Sequence, residues 1–427
     1  MKAMIEKPIK PKQPPEQLFT EIANERGAIW LDSSLQIGDK GRYSIIARRP
    51  FIEVSADSGN LNERLEKLEK LWENKSLFSI GYISYEGALP FAGVQSCRLD
   101  ELATPLLHFL FYDSVLCFDQ LTGNVEATKP EADDYFDLFD NSLRLTAGFL
   151  ESDIEIHSTV LKNDYWDHIR EIKKHIKEGD IYQANYTCRF DVQSETHPFH
   201  VYRNLRRLNP APYSAYLNFG DYQIISSSPE RLFKRKGAFI TSCPIKGTVP
   251  SGQGANENEL QRQKLLNSTK DKAELLMIVD LMRNDLGKIA RTGSVEVSNL
   301  YTVEQYSSLM HLVADASAAL KEGIGYLEII SALMPGGSVT GAPKKRAVEI
   351  LQMLEPTPRG VYTGCIGYVH GNKADFNIAI RTMVHRNGKY HVHAGGGIVA
   401  DSDPELEYQE MQLKARNLFR ALGATVE

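Results

Sequence analysis

Apolar positions in the first third of the chain follow two periods, which together predict strands separated by one helix. Three segments rich in Ile, Val, Tyr and Phe between turn residues predict strands, namely RYSIIARRPFIEVSAD (42–57), SIGYISYEGALPF (79–91) and LLHFLFYDSVLCFD (106–119). Between the first two, apolar residues recur at helical spacing opposite charged ones, at Leu61, Leu65, Leu68 and Trp72. The acidic stretch EADDYFDLFDNSLRL predicts a boundary before residue 160, so we expect a first region at 15–140.

The remainder of the chain, 160–425, mixes helical and strand-like patterns. One helix face is predicted by Trp166, Ile169, Ile172 and Ile176, and Gly179 ends that helix. Further on, the pattern predicts strands, a turn, a polar loop and two long helices, in IYQANYTCRFDV, YSAYLNFGDYQIISSS, PIKGT, VPSGQGANENE, AELLMIVDLMRNDLGKI and DPELEYQEMQLKARNLFRAL. This mixture indicates an α+β fold with large sheets and no regular βαβ series.

Composition and charge exclude several classes of protein. With 427 residues and a net charge of −6, the chain has no basic surplus to favour nucleic-acid binding. Its first residues, MKAMIEKPIKPKQPPEQ, lack the apolar core of a secretory signal, and no apolar run is long enough for a bilayer. The five cysteines are scattered and never form a Cys-x-x-Cys pair, which predicts a reducing cytoplasm and neither disulfides nor a zinc site.

Two glycine-rich stretches resemble nucleotide-binding loops but lack residues that such loops need. In GGSVTGAPK, Gly336 and Gly341 have the spacing of a phosphate-binding loop, but Ala342 stands where that loop needs lysine. AGGGIVAD contains Gly395 and Gly397 without the third glycine of a dinucleotide turn. These glycines therefore predict either tight turns or main-chain N–H groups that approach a small anion such as a carboxylate.

Three acidic residues on the two long helices suit a divalent cation. Glu274 lies near the start of one helix, and Glu407 and Glu410 share a face of the last helix. Carboxylates that meet from separate helices would suit Mg²⁺, which prefers oxygen ligands. From spacing alone, acids that are solvated or favoured by the helix dipole remain the competing interpretation.

Three further polar residues stand among apolar or small neighbours. His311 alternates with Leu309 and Val313 along an expected strand, as a hydrogen-bonded core histidine would as well as a functional one. Arg381 follows an apolar strand, where it needs a carboxylate partner that either a ligand or an internal acid could supply. Lys246 in PIKGT is either a solvated charge or a working amine.

The order of these motifs resembles the chorismate-utilising enzymes, a family that includes anthranilate, aminodeoxychorismate, isochorismate and salicylate synthases. The resemblance is dense over 160–425 and weaker in the first region, at RYSIIARRP. It is carried by GDIYQANYT, SSSPERL, PIKGT, AELLMIVDLMRNDLGKI, LMHLV, GGSVTGAPK, GCIGY, DFNIAIRT and AGGGIVADSDPELEYQE. It implies an α/β sandwich of large antiparallel sheets with helices outside and an active site between the sheets, like that of anthranilate synthase component I.

Within this family, the lysine of PIKGT is typical of the branch that aminates chorismate to aminodeoxychorismate for 4-aminobenzoate and folate synthesis. Water-adding members carry a lysine base where this chain has Gln183. The resemblance therefore implies that Lys246 attacks C2 of chorismate, that Glu230 is the acid for the departing hydroxyl, and that ammonia adds at C4. For Lys246, the alternative role is a salt bridge to a substrate carboxylate. For the whole chain, the alternatives are an anthranilate-forming enzyme and a non-catalytic chorismate-binding subunit.

The resemblance also assigns the other site residues. It implies that Mg²⁺ is bound by Glu274 and Glu410 with help from Glu407, and that His311 acts near the leaving group. Asp271 is expected in the outer shell of the metal. The expected substrate-binding residues are Gly247, Thr248, Ser338, Tyr362, Arg381, Gly395 and Gly397.

Two expectations concern partners and regulation. No cysteine has the glycine flanks of an amidotransferase nucleophile, so a separate glutamine amidotransferase subunit is expected to supply ammonia. AIWLDSS (28–34) matches the place where anthranilate synthases bind feedback tryptophan, but its residues depart from their Leu-Leu-Glu-Ser pattern. The departure weakens the case for a regulatory tryptophan site, and a structural ligand or simple core packing is an equal alternative there.

Overall fold

The fold is built on antiparallel strands. A computed structural model describes residues 14–96, 98, 101–128, 154–252, 254–306 and 309–424. Its strands are β1 (Ile29–Asp32), β2 (Tyr43–Ala47), β3 (Ile52–Ala56), β4 (Phe78–Ile83), β5 (Leu107–Tyr112), β6 (Leu116–Asp119), β7 (Val125–Ala127), β8 (Ile156–Ser158), β9 (Gln183–Gln193), β10 (Tyr213–Asn218), β11 (Tyr222–Ser228), β12 (Arg231–Lys236), β13 (Phe239–Cys243), β14 (Ile245–Pro250), β15 (Glu296–Gln305), β16 (Leu309–Ala319), β17 (Gly341–Ala342), β18 (Cys365–His370), β19 (Lys373–Asn377), β20 (Thr382–Arg386) and β21 (Lys389–Ile398).

Helices separate these strands. They are α1 (Pro15–Ile22), α2 (Leu61–Trp72), the short α3 (Tyr85–Ala88), α4 (Lys162–Glu178), α5 (Pro198–Leu208), α6 (Ala255–Asn267), α7 (Thr269–Ile289), α8 (Tyr326–Leu333), α9 (Lys344–Leu354) and α10 (Pro404–Leu422). Local chemistry sets several of the ends. Gly179 adopts φ 84° at the end of α4, as predicted, and Asp403 caps α10 by accepting hydrogen bonds from two main-chain N–H groups. Within the described ranges, no helix is both long and apolar enough to cross a membrane.

The strands form two sheets. The first has the order β17-β9-β21-β20-β11-β10-β1-β2-β6-β7, with β8 beside β9. The second has the order β14-β16-β13-β12-β19-β18-β4-β5-β3, with β15 beside β16. Both predicted regions, 15–140 and 160–425, supply strands to both sheets, and residues 129–153, from the end of the first region into the predicted boundary, lie outside the described residues.

Three buried clusters show how the layers pack. One lies between the two sheets and joins residues such as Ile45 and Ile224 of the first sheet to Ile80 and Leu110 of the second. Another packs α4, α5 and α10 on the outer face of the first sheet, and a third packs α2, α7 and α8 on the second. The expected sandwich of antiparallel sheets with outer helices is therefore confirmed.

Three local predictions were wrong. SIGYISYEGALPF is a strand only as far as Ile83, because the Ser84 hydroxyl accepts a hydrogen bond from the Gly87 N–H and starts α3. PIKGT, predicted as a turn, lies mostly in β14, where Lys246 pairs with Leu312. The register shifts at Gly247, whose φ is 65°, so this glycine makes a bulge rather than a turn. The following loop is shorter than predicted, since α6 begins at Ala255.

Candidate active site

Lys246 and Gly397 lie close together although they belong to different sheets. Gly397 lies in β21 of the first sheet and Lys246 in β14 of the second. A Cβ placed on Gly397 would lie 3.5 Å from Lys246 Nζ and 2.6 Å from Gln183 Nε2. A side chain at 397 would therefore displace the Gln183 amide and would touch Lys246 Nζ at an ordinary contact distance, so close approach explains the glycine.

Lys246 presents an amine without an acidic partner. Its Nζ donates to the main-chain carbonyl oxygen of Ser338 at 3.5 Å. Within the described ranges, no carboxylate oxygen forms an ion pair with this amine. Burial lowers the pKa of Lys246, while the nearby Glu274 opposes the shift. Burial thus favours the neutral amine, the form that can attack carbon.

Glu230 is a buried acid directly before β12, in the segment that resembles the family's general acid. Its side chain is 4% exposed and its Oε1 atom has no hydrogen-bond partner among the described residues. Burial raises the pKa of Glu230 to about 7, and the positive charge of Lys246 works against the rise. The carboxyl group can therefore hold a proton near neutral pH and release it to a neighbour.

His311 and Thr248 face each other across β14 and β16. Thr248 Oγ1 lies 3.0 Å from His311 Nδ1, and the edge of the Tyr306 ring contacts the imidazole with centroids 4.8 Å apart. His311 Nε2 is buried without a partner in the described part of the chain. Burial lowers the pKa of His311 to about 3, so the ring is neutral at pH 7. The position combines a core histidine's packing with a free ring nitrogen.

Tyr362 and Arg381, the predicted grip on a substrate carboxylate, lie just before β18 and just before β20. Arg381 precedes β20 with φ 50°, a conformation rare for a non-glycine residue. Its Nη1 atom donates to Asn209 Oδ1 at 3.0 Å, and it makes no ion pair within the described residues. Tyr362 is buried, with its ring stacked on His393 at 5.4 Å. An internal acid, the alternative to a ligand carboxylate, is thus not what pairs with Arg381 within the described residues.

The predicted metal ligands come from α7 and α10. Glu407 is buried and its Oε1 atom accepts a hydrogen bond from Ser402, whereas Glu410 pairs with Lys414 at 2.8 Å. Burial raises the pKa values of Glu274 and Glu407, and the charge of Glu410 adds to the rise in both cases. A divalent cation would relieve this repulsion, and carboxylate oxygens are ligands that Mg²⁺ prefers. These residues therefore fit Mg²⁺ in donor type and charge.

Spacing sets a limit on that fit. Within the described part of the chain, one group of three possible ligands lies within 4.8 Å of one another, formed by His175, Glu178 and Asp180 at the end of α4. Glu274, Glu407 and Glu410 as a set are spaced more widely. Asp180 already pairs with His175 and Arg346 at 2.8 and 3.0 Å, so ion pairing accounts for the α4 group.

The other predicted substrate-binding residues border the same region. Ser338 is 4% exposed and lies beside Glu230, where its hydroxyl favours the charged form of that carboxyl group. A Cβ on Gly247 would lie 3.1 Å from the Asp271 side chain, and one on Gly395 would lie 2.2 Å from the Tyr186 carbonyl oxygen. Two surface depressions, of about 280 and 430 Å³, contain none of the predicted residues.

Two residues outside the predicted set belong to this region. Gln183 is fully buried, and neither atom of its amide has a partner within the described ranges. Unsatisfied buried amides are costly, so a ligand that pairs with Gln183 would be favoured here. Asn209, the partner of Arg381, follows α5 in the sequence NPAP. An Asn-Pro pair predicts a turn, so nothing in the local pattern indicates this contact.

Comparisons with known proteins agree with this geometry. A family model described as chorismate binding enzyme matches residues 21–420. The chain is 33% identical over 458 residues to anthranilate synthase component 1 of Acetivibrio thermocellus, which covers 96% of this chain and 92% of that protein. It is 36% identical over 364 residues to aminodeoxychorismate synthase component 1 of Bacillus subtilis, covering 82% and 77%. The crystal structure of anthranilate synthase component I from Streptococcus pneumoniae covers 90% of this chain and 93% of its own, with 29% identity and a TM-score of 0.78.

Proposed function

This chain belongs to the family of chorismate binding enzymes, and we propose that it aminates chorismate at C4 to give 4-amino-4-deoxychorismate. The family match over 21–420 confirms the resemblance that the motifs indicated. Relatives named for both the anthranilate and the aminodeoxychorismate reaction match it, so the names alone leave the product open. The choice between them rests on the chemistry of the site.

The observation that carries the proposal is the amine of Lys246. It lacks a carboxylate partner in the described residues, burial lowers its pKa, and it faces the region that holds Glu230 and Gln183. A lysine held for an ion pair with protein acids would not need such surroundings. A nucleophilic amine needs them, because only the neutral form carries the reactive lone pair.

The reaction then proceeds in two displacements. The Lys246 amine forms a bond to C2 of chorismate, the two conjugated ring double bonds each shift one position towards C4, and the C4–oxygen bond breaks. Glu230 gives its proton to the departing oxygen, which leaves as water rather than as hydroxide. Ammonia adds at C4, both double bonds shift back, and the C2–nitrogen bond breaks. Glu230 takes up the proton that the new amino group loses, and Lys246 returns as the free amine.

The other residues bind and orient the substrate. We assign the enolpyruvyl carboxylate to Arg381 and Tyr362, helped by main-chain N–H groups near Gly395 and Gly397. His311, neutral at pH 7, faces the leaving group, while Gly247, Thr248 and Ser338 border the ring. Glu274, Glu410 and Glu407 would hold Mg²⁺, which when bound supplies positive charge for the ring carboxylate.

The source of ammonia is proposed to be a second subunit. Both relatives carry the name component 1, which fits an enzyme that works with a further component. We infer that a glutamine amidotransferase delivers ammonia to this chain. The purified chain alone is then expected to use ammonium salts and to leave glutamine unused.

Anthranilate synthesis is the second candidate, and one observation favours it. The Acetivibrio thermocellus relative named for that reaction is matched over 96% of this chain, against 82% for the Bacillus subtilis relative named for amination. The two products separate the candidates, because anthranilate forms with loss of pyruvate whereas aminodeoxychorismate keeps the enolpyruvyl group.

The deciding experiment incubates the purified chain with chorismate, Mg²⁺ and an ammonium salt and identifies the product by mass spectrometry. An amino product that retains the enolpyruvyl group supports the proposal. Anthranilate and pyruvate would overturn it in favour of the second candidate. A parallel reaction with glutamine in place of ammonium, with and without an added amidotransferase, tests the partner.

A further inference from the structure

Arg381 holds its positive charge without an internal counter-ion. Burial lowers the pKa of Arg381 to about 10, yet among the described residues no carboxylate pairs with it. Within the described part of the chain, its guanidinium makes one hydrogen bond, from Nη1 to Asn209 Oδ1 at 3.0 Å. A guanidinium with a single neutral partner keeps most of its hydrogen-bonding capacity for something else.

Asn209 is itself fixed by Ser227. Asn209 is 4% exposed, and its Nδ2 atom donates to Ser227 Oγ at 3.0 Å and to the Ser227 carbonyl oxygen at 3.4 Å. The Ser227 hydroxyl donates to the Asn209 carbonyl oxygen, and the Ser227 N–H donates to the Arg381 carbonyl oxygen at 3.1 Å. Because a carbonyl oxygen only accepts, the amide nitrogen must face Ser227. The amide oxygen is thereby turned to the guanidinium.

The segment that carries Asn209 is anchored from the first region as well. The Ala211 N–H donates to Ser34 Oγ at 2.9 Å, and Ser34 Oγ donates to the Ala211 carbonyl oxygen at 3.1 Å. Ser34 follows β1, next to β10 in the first sheet. Asn209 therefore stands on a main chain held on both sides, which suits a group that orients another side chain.

We propose that Asn209 is the positioning residue for Arg381, and that an amide is used because it orients the guanidinium without neutralising it. The full positive charge then remains for a carboxylate of the substrate, an inference that rests on the proposed role of Arg381. An aspartate at 209 would have nearly the same shape but would form an ion pair with Arg381 and compete with that carboxylate.

The test is the order of two substitutions. Asn209→Asp is expected to raise the dissociation constant for chorismate by about 10- to 100-fold, because it supplies a competing charge. Asn209→Ala loses the orientation but keeps the charge free, so a rise below about tenfold is expected. A merely structural role predicts losses that follow the fall in the unfolding midpoint and that persist without Arg381, because both substitutions remove the donor to Ser227. The readout is isothermal titration calorimetry with chorismate and Mg²⁺, together with the midpoint of thermal unfolding.

Two further variants make the result decisive. Asn218→Asp is the matched control, because Asn218 is 5% exposed, donates to the Ala23 carbonyl oxygen, and lies apart from Arg381. It is expected to leave chorismate binding unchanged. In an Arg381→Gln background, Asn209→Asp should add no further loss of affinity. Equal losses for Asn209→Asp and Asn209→Ala, or a loss that persists without Arg381, would overturn the inference.

The binding experiment is independent of the product. Chorismate affinity can be measured without ammonium, whichever compound the enzyme forms. If mass spectrometry identified anthranilate while the order of the Asn209 variants held, amination would fail and the positioning role would stand. If amination held while Asn209→Asp bound chorismate like the unchanged chain, the positioning role alone would fail.

Discussion

The side-chain nitrogen of Lys246 lies 3.5 Å from the main-chain carbonyl oxygen of Ser338, on a chain segment 92 residues away. This neutral acceptor is the hydrogen-bond partner of a lysine whose pKa is lowered by burial. This hydrogen bond to a neutral oxygen leaves the amine without an acid that would stabilise its protonated form. Substitution of Lys246 can therefore show whether the amine reacts.

Lys246→Ala is expected to lower the rate of amination by at least about 100-fold, because the attacking nitrogen is lost. The unchanged chain, incubated with chorismate in the absence of ammonia and then quenched, should show a chorismate-derived adduct by intact-mass analysis. The variant should lack this adduct. Lys236→Ala, on an exposed lysine at the end of β12, serves as the control and should keep full activity. Loss of activity without any adduct would favour the salt bridge over the nucleophile.

Glu230 should set the alkaline side of the pH profile. Its pKa is raised to about 7, so the proton needed by the leaving group is present below that pH and is lost as pH rises through it. We expect kcat/KM for chorismate to fall above about pH 7 and Glu230→Gln to cost about 100-fold or more in kcat. An unchanged alkaline limb in the residual activity of the variant would contradict the assignment.

The same shift predicts a gain of stability in Glu230→Gln at high pH. The pKa of Glu230 is raised from 4.5 in the unfolded reference to about 7, so the native state binds the extra proton. Stability is therefore lost as pH rises from 4.5 through 7, and glutamine escapes that loss. At pH 8 the variant's free energy of unfolding should exceed that of the unchanged chain by up to about 3 kcal/mol. If urea unfolding gave the same difference in stability between the variant and the unchanged chain at pH 5 and at pH 8, Glu230 would not be buried as a neutral acid.

Magnesium should bind through the carboxylates of α7 and α10 in the absence of substrate. Glu274→Gln and Glu410→Gln are each expected to weaken Mg²⁺ binding by at least about tenfold, because each removes a charged oxygen ligand. Glu405→Gln is the matched control on the same helix, since Glu405 pairs with Lys162 instead. Calorimetric titration with Mg²⁺, or electron paramagnetic resonance with Mn²⁺, measures the change without relying on activity.

Trp30 should prove to be part of the core rather than part of a tryptophan-binding site. It is fully buried, contacts Phe19 and Tyr202, and donates from Nε1 to the Ser44 hydroxyl at 2.7 Å. Trp30→Ala is expected to cost about 3–5 kcal/mol of unfolding free energy because it leaves a cavity. Trp30→Phe should cost less, since it mainly leaves Ser44 unpaired. A rise in the unfolding midpoint of the unchanged chain on adding free tryptophan would instead indicate a ligand site.

The chemistry of the site was accessible from local sequence, but its arrangement was not. Lys246, Glu230 and the acids of the long helices stand in motifs whose order resembles one family, and that family fixes the expected fold. The partners of these groups lie far away in sequence. Asn209 meets Arg381 across 172 residues, and Thr248 meets His311 across 63.

Local patterns also failed where pairing overrides them. PIKGT contains a proline and a glycine, which are turn signals in a sequence. In the structure Gly247 has φ 65°, yet the segment forms β14, which pairs with β16 and places Lys246 at the edge of the sheet. Strand pairing adds main-chain hydrogen bonds to a distant segment, and these can outweigh the local preference for a turn.

The sequence by itself determined the family, the mixed composition of strands and helices, and the residue types that chemistry on chorismate would use. Only the tertiary structure decided that Lys246 has no acidic partner within the described residues, that Glu230 is buried enough to hold a proton, and that Arg381 is oriented by an amide. The physical reason is that burial and charge pairing depend on neighbours brought together by long-range strand pairing. The order of residue types along the chain does not specify these distances, which are set only when the sheets form.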